Sequence, residues 1–372
     1  MKKVIFIPDS FKGTMSSEEI CEIMKTSVHK FYPEAETISI PVADGGEGSV
    51  DAFLAACGGE KIWKKVTGPW GEEVEGYYGI MPDNTAIVEM AAAASLPMVG
   101  DKKDPSKTTT FGVGELILDA AAKGCKKIIV GLGGSATNDG GCGMASACGV
   151  KFINKENKEF VPLGENLTEI AKIDTSTLSA ELKDVEFVTM CDIDNPFFGK
   201  EGAAAIYGPQ KGADEAMVAF LDKNMMHLAD VIKKDIGIEV QDIPGSGAAG
   251  GMGGGMVAFL ASPLQMGIET VLDTVKFDTL IEGADYIFTG EGKIDGQSLR
   301  GKVVIGVAKQ AVAKGIKVMA IVGDIGDGAE NAYNLGVTGI FSINRVAVPY
   351  KEAKPRAKSD LALTMDNLMR VL

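Results

Sequence analysis

The chain has 372 residues with a net charge of −14, a pI near 4.8, 45% hydrophobic and 24% charged residues. A single core rarely grows past ~250–300 residues, so this length predicts two domains, and the acidic balance argues against a nucleic-acid-binding face. No run approaches the ~20 apolar residues of a membrane span, and the short apolar stretch after Met1-Lys2-Lys3 lacks the about 7–15 residues of a signal h-region, so a cytoplasmic protein with no membrane partner is expected.

In chain order, residues 4–7 form a short apolar strand ending in the turn Pro8-Asp9-Ser10. Ser16-Ser17-Glu18-Glu19 then reads as an N-cap with early acids, which opens a helix to about Phe31. A second strand is expected over 37–42, followed by the loop Asp44-Gly45-Gly46-Glu47-Gly48 and a helix over 49–57. Both loops lie at the C-terminal end of a strand, the place where open α/β sheets bind ligands.

From 61 to 90 the texture changes to short runs at period two, broken by Gly68-Pro69, Gly71 and Pro82-Asp83-Asn84, as in antiparallel hairpins. An α/β unit follows: a helix over 111–123, a strand over 127–131 and the loop Gly133-Gly134-Ser135-Ala136-Thr137-Asn138-Asp139-Gly140-Gly141. A strand over 186–190 and a helix over 214–234 come next. After about residue 272 the doubly wound rhythm returns, with strands over 286–289, 318–322 and 339–343 and helices over 301–314, 329–335 and 359–372.

The fold class expected is therefore α/β with two domains. Residues 1–62 plus 272–372 would form a discontinuous Rossmann- or flavodoxin-like parallel sheet, and 63–271 an inserted mixed α/β domain, with the active site in the cleft between them. A plain split into N- and C-terminal halves is the alternative.

The loop 133–141 is the strongest local signal. Its four glycines let backbone N–H groups converge on an anion, and a helix N-terminus follows them. Ser135, Thr137 and Asn138 add side-chain donors, and Asp139 could bind a metal or a hydroxyl; the plain alternative is a tight strand–helix turn. No GxxxxGK[ST] occurs. Gly245-Ser246-Gly247-Ala248-Ala249-Gly250 matches GxGxxG by letter but follows no strand, so close packing or backbone approach to a ligand explains it better than a dinucleotide site.

Asp9, Asp44, Glu47, Asp192, Asp194, Glu291 and Asp295 each lie in a loop after an apolar strand. Phosphoryl transfer uses acids to hold Mg²⁺ and to orient or deprotonate a hydroxyl, although any one of these could be a cap or turn former. Lys12, Lys211, Lys293, Arg300 and Lys302 are the cations available for carboxylate or phosphate. The six cysteines include no CxxC, and the two histidines, His29 and His227, sit in helix-like stretches, so neither a zinc site nor a His-based triad is expected.

Pro8-Asp9-Ser10-Phe11-Lys12-Gly13, Ala43-Asp44-Gly45-Gly46-Glu47-Gly48, the loop 133–141, Cys191-Asp192 with Asn195-Pro196, Gly208-Pro209-Gln210-Lys211-Gly212-Ala213, and Thr289-Gly290-Glu291-Gly292 with Asp295 and Gln297-Ser298 together resemble the bacterial type-1 glycerate kinases. The resemblance runs in order from about residue 4 to 325. It implies an ATP- and Mg²⁺-dependent enzyme that phosphorylates D-glycerate, with 2-phosphoglycerate favoured over 3-phosphoglycerate as product.

Carried over residue by residue, the resemblance makes Asp192 the base, and Gly133, Gly134, Ser135, Asn138 and Lys211 the holders of the ATP phosphates. Asp44 and Glu47 would place Mg²⁺ or glycerate. Lys12, Lys293 and Arg300 would serve the carboxylate, with Lys12 also in the catalytic set and Glu291 in the substrate site. Lys293 stands where Arg is expected in many relatives, and the run Gly250-Gly251-Met252-Gly253-Gly254-Gly255 is richer in glycine than usual. A glycerate 3-kinase, a non-catalytic sensor of ATP or a hydroxy acid, and an NAD-dependent oxidation of glycerate are the rival readings.

Overall fold

The computed structural model describes residues 1–11, 13–42, 45–296 and 298–372, with Arg300 described by its backbone. The fold is α/β with parallel sheets, and its contacts divide the chain into two compact units. Residues 1–43, 55–57 and 266–372 form the first, and 44–54 and 58–265 the second; the boundaries expected from the sequence are 62/63 and 271/272.

The first unit holds a five-stranded parallel sheet in the order Val337–Ser342, Lys317–Val322, Tyr286–Gly290, Lys3–Pro8, Glu36–Ser39. Numbered along the chain from the other edge, that order is 2-1-3-4-5, the flavodoxin-like arrangement. The inner strands read as unbroken apolar runs because both faces are covered: Val4, Ile5, Phe6 and Ile7 are fully buried. The helix Ser17–Phe31 starts with a capping box, in which Glu19 N–H donates to Ser16 Oγ at 3.2 Å and Ser16 N–H donates to the Glu19 carboxylate at 3.0 Å. Ile20 and Met24 on that helix and Leu361 and Met365 on the terminal helix Ala357–Met369 join Phe6 and Phe288 in one core.

Two expected elements differ. The second strand stops at Ser39 instead of 42. The segment Ala329–Leu335 is a 3₁₀ helix set between Gly328 (φ 83°) and Gly336 (φ 105°), in place of the expected α-helix.

The second unit is built on a six-stranded sheet whose strands follow chain order: Glu60–Thr67, Glu73–Ile80, Thr85–Glu89, Lys127–Gly131, Glu186–Met190, Leu264–Gln265. The first three pair antiparallel, as the hairpin texture predicts, and the rest pair parallel. The carboxyl ends of Thr85–Glu89, Lys127–Gly131 and Glu186–Met190 therefore face the same way, and the loops after them form one edge. The long helix Glu215–Asp235 is opened by Asp214, which accepts from Met217 N–H at 2.8 Å, and carries Lys233 and Lys234 in its last turn, in keeping with the helix dipole.

Candidate active site

At the carboxyl edge of the second unit, Gly131 and Gly133 lie flat against the glycines of the 44–48 loop. Gly133 N–H donates to Gly45 O at 2.8 Å, and a Cβ built on Gly133 would stand 2.4 Å from Gly46 Cα. Only glycine permits that approach. The two glycine-rich loops thus form a single backbone wall.

Lys211 closes this wall from another part of the chain. Pro209 starts the 3₁₀ turn Pro209–Lys211, and Gly212 leaves it at φ 101°. The lysine is 2% exposed, and its ammonium donates to Ser135 Oγ at 2.8 Å and to Thr137 O at 2.7 Å. Burial of the charge pushes its pKa down to about 7, against the opposing pull of the Asp139 carboxylate. A buried cation among neutral acceptors in a glycine-lined loop is poised for an anion that restores its full charge.

Asp139 itself is fully buried, and burial raises its pKa. It accepts from Thr110 N–H (2.8 Å), Thr110 Oγ1 (2.8 Å), Gly141 N–H (3.0 Å) and Gly143 N–H (3.2 Å). Its oxygens are thereby committed to tying the loop to the helix Cys142–Ala147 and to the N-terminal end of the helix Phe111–Ala122. The sequence reading of Asp139 as a metal or hydroxyl ligand is corrected on this geometry. Its neighbours Thr137 and Asn138 contrast with it: Thr137 Oγ1 and both polar atoms of the Asn138 side chain are buried without a partner among the described residues.

Beyond the strand Glu186–Met190, the loop 191–195 is held by Tyr207, whose hydroxyl donates to Asn195 Oδ1 at 2.7 Å, and by Asn195 Nδ2, which donates to Glu201 O at 2.8 Å. Asp192 stands exposed on this loop. Cys191 is no nucleophile, since burial raises its thiol pKa to about 11. The GxGxxG stretch packs backbone on backbone: a Cβ on Gly247 would meet Pro196 O at 2.2 Å, and one on Gly250 would meet Thr137 O at 2.0 Å. In the helix Ala248–Leu260 the residues Ala249, Gly250 and Gly251 have φ of 53°, 67° and 88°, so this glycine run serves close packing. Gly46, Gly133, Gly134, Ser135, Asp192 and Lys211 line a common cavity of about 260 Å³, which Ala248 and Ala249 complete on the apolar side.

In the first unit the strand ends carry a second group. Asp9 N–H donates to Gly290 O at 2.8 Å, so Asp9 and Glu291 follow two paired strand ends, Pro8 opposite Gly290. Glu291 is 5% exposed, and burial lifts its pKa to about 7. Lys293 is exposed and pairs with Asp295 at 3.3 Å.

Of the expected site residues, the structure brings Gly133, Gly134, Ser135, Lys211 and Asp192 together at one cavity. Asn138 is fully buried within the loop 133–141, and Glu47 is exposed beside Gly46. Glu291 and Lys293 belong to the first unit. Lys12, Asp44 and the side chain of Arg300 lie outside the described residues.

Glu89 escaped the sequence reading. Fully buried at the end of its strand, it accepts from Gly48 N–H at 3.3 Å, from Val50 N–H and from Tyr77 Oη at 3.2 Å, capping the helix Ser49–Cys57. The signal available was a helix start at Gly48 with no capping side chain of its own, combined with an acid at the end of an apolar strand. Among the described residues no group of three or more His, Cys, Asp or Glu side chains is placed to hold a metal ion, and no helix is long and apolar enough to cross a membrane.

A glycerate kinase from Bacillus cereus is 44% identical over 371 residues, 99% of this chain and 97% of its own. A glycerate 2-kinase from Escherichia coli K12 is 44% identical over 343 residues, 92% and 90% of the two chains. A crystal structure from Salmonella typhimurium LT2, provisionally named glycerate kinase 2, superposes with a TM-score of 0.87 at 38% identity, covering 100% of this chain and 98% of that one. The model of the glycerate kinase family matches residues 4–372, and this chain belongs to that family.

Proposed function

We propose that this enzyme transfers the γ-phosphoryl group of ATP to the 2-hydroxyl of D-glycerate, releasing ADP and 2-phospho-D-glycerate. The observation that carries the reading is the buried Lys211 ammonium against Ser135 and Thr137 in a glycine-walled cavity that Asp192 also lines. The name of the Escherichia coli relative supports the 2-position.

Phosphoryl transfer asks a protein mainly for positioning and for charge placed where charge develops. Gly133 and Gly134 let the backbone come close to the phosphates, and Lys211 supplies the positive charge. The acceptor oxygen forms its bond to the γ-phosphorus as the bond from that phosphorus to the β,γ-bridging oxygen breaks. Asp192 receives the hydroxyl proton, and ADP leaves with the bridging oxygen. A Mg²⁺ ion bound with a nucleotide takes one or two carboxylates and completes its shell with phosphate and water oxygens. Glu47, exposed next to the cavity-lining Gly46, fits that role, and the resemblance adds Asp44, three residues before it in sequence. The ion would neutralise charge on the β- and γ-phosphate oxygens.

The test is incubation with ATP, MgCl₂ and D-glycerate, with ADP release followed and the product identified by phosphorus NMR. A 2-phosphoglycerate resonance is expected. A 3-phosphoglycerate resonance would overturn the position of transfer, and no ADP above background would overturn the reaction.

A further inference from the structure

We propose that the hydroxy acid is held by the first unit, at the carboxyl ends of the strands Lys3–Pro8 and Tyr286–Gly290: Glu291 and Asp9 take its 3-hydroxyl, and Lys302 its carboxylate. This rests on D-glycerate being the acceptor and adds where the chain holds it.

Topology singles out the spot. The chain leaves Lys3–Pro8 for Glu36–Ser39 on one side of the sheet, and leaves Tyr286–Gly290 for Lys317–Val322 on the other. Neighbouring strands whose connections diverge open a crevice at their carboxyl ends, where open α/β sheets take ligands. Asp9 and Glu291 are the first residues past those ends.

The second, independent observation is Glu291 itself. It is 95% buried, and its Oε1 has no hydrogen-bond partner among the described residues. Buried polar atoms in native proteins are nearly always satisfied, so a lone one at a crevice calls for a donor from outside the chain. Ser298 bonds to the same carboxyl group, while Asp9 and Asp295 lie close enough to repel its charge and Lys302 close enough to attract it. A ring of acids repels a polyphosphate and suits hydroxyl donors.

The carboxylate of the acid finds its counterpart in Lys302. That residue is exposed and forms the N-cap of the ten-residue helix Val303–Val312, with no side-chain cap on the first turn. A helix N-terminus and an ammonium together attract an anion. The other nearby cation, Lys293, is already paired with Asp295. Hydroxyl acceptors beside one anion-attracting helix end match the 2,3-dihydroxy acid and match a nucleotide poorly.

The experiment is calorimetric titration of D-glycerate without nucleotide, with steady-state kinetics alongside, on wild type, Asp9→Asn, Glu291→Ala and Glu291→Gln. Removing the charge behind the bond from a bound hydroxyl in Asp9→Asn, and the bond itself in Glu291→Ala, should weaken D-glycerate about tenfold or more, with KM for ATP within about twofold. Glu291→Gln keeps the shape and guards against a folding defect; it should melt no lower than wild type and still raise KM for D-glycerate. Unmoved D-glycerate affinity in these variants overturns the siting, as does a rise in KM for ATP alone. A wild type that turns over while the variants stay unmoved sinks the siting alone. A wild type that neither binds nor phosphorylates D-glycerate sinks the functional reading and the siting together.

Discussion

Lys211 and Ser135, 76 residues apart in sequence, meet through a 2.8 Å bond from ammonium to hydroxyl, and that bond ties the turn Pro209–Lys211 to the glycine loop after the strand Lys127–Gly131. The contact is buried and its donor is a charge held near neutrality by desolvation, so occupancy of the cavity and protonation of this lysine are coupled.

Replacing Lys211 with Met is therefore expected to lower kcat/KM for ATP by about 100-fold, or ~2.7 kcal/mol, while leaving thermal stability close to wild type. Removing a buried charge relieves a desolvation cost that offsets the lost bonds. In wild type the ammonium is charged below its pKa of about 7 and neutral above it. Phosphates favour the charged form, so nucleotide affinity should fall as pH rises from 7 to 9. Titration in two buffers of different ionisation heat should show proton uptake on binding at pH 8.

Asp139→Asn is expected to destabilise the chain by about 2–4 kcal/mol, because an amide nitrogen would replace an oxygen that now accepts from backbone N–H groups. Urea unfolding measures this directly. A loss below about 1 kcal/mol would show that the four bonds to Thr110, Gly141 and Gly143 matter less than the geometry implies.

Asp192 is exposed, so Asp192→Asn should unfold within about 0.5 kcal/mol of wild type. If Asp192 receives the proton, kcat should fall at least about 100-fold, the lower end of what general-base catalysis supplies. A kcat within about tenfold of wild type would remove it from that role.

Glu291 sets a stability trend with pH. Its carboxyl titrates at about 7 in the folded chain against 4.5 for the ordinary group. Between those values the folded state holds a proton that the unfolded state has lost, so its contribution declines as pH rises from about 4.5 to 7 and is flat above. The total is about 3 kcal/mol. Glu291→Gln should remove that part of the slope in urea unfolding at pH 5, 6, 7 and 8, and parallel curves for variant and wild type would contradict it.

Much of the site could be read beforehand wherever one loop supplies its own chemistry. The glycines of 133–141, the cation in Pro209-Gln210-Lys211-Gly212 and the acid after the strand Glu186–Met190 announce themselves locally, and the structure lines one cavity with them. The roles of Asp139 and Glu89 stayed hidden because their partners come from elsewhere: Thr110 is 29 residues from Asp139, and Gly48 is 41 from Glu89. A carboxylate after a strand looks the same whether it will meet a ligand or a helix N-terminus. The flavodoxin-like rhythm was legible for a similar reason, since each βα step is local. The three-stranded sheet Lys151–Asn154, Glu159–Phe160 and Ile170–Asp174 went unread, its short strands carrying too little period to stand out.

The strand orders of the two sheets have a consequence for how the chain is made. In the second unit the six-stranded sheet adds its strands in the order they are made, although the three short strands of a separate sheet intervene before Glu186–Met190, so each can pair with a strand already synthesised. In the first unit Ile7 must wait for Thr289, 282 residues later, before its carbonyl receives the hydroxyl bond that joins their strands. At translation speeds of roughly 5–20 residues per second, that wait lasts roughly 14–56 seconds. During it one edge of Lys3–Pro8, apolar and open, depends on chaperones or on the nascent chain around it for cover.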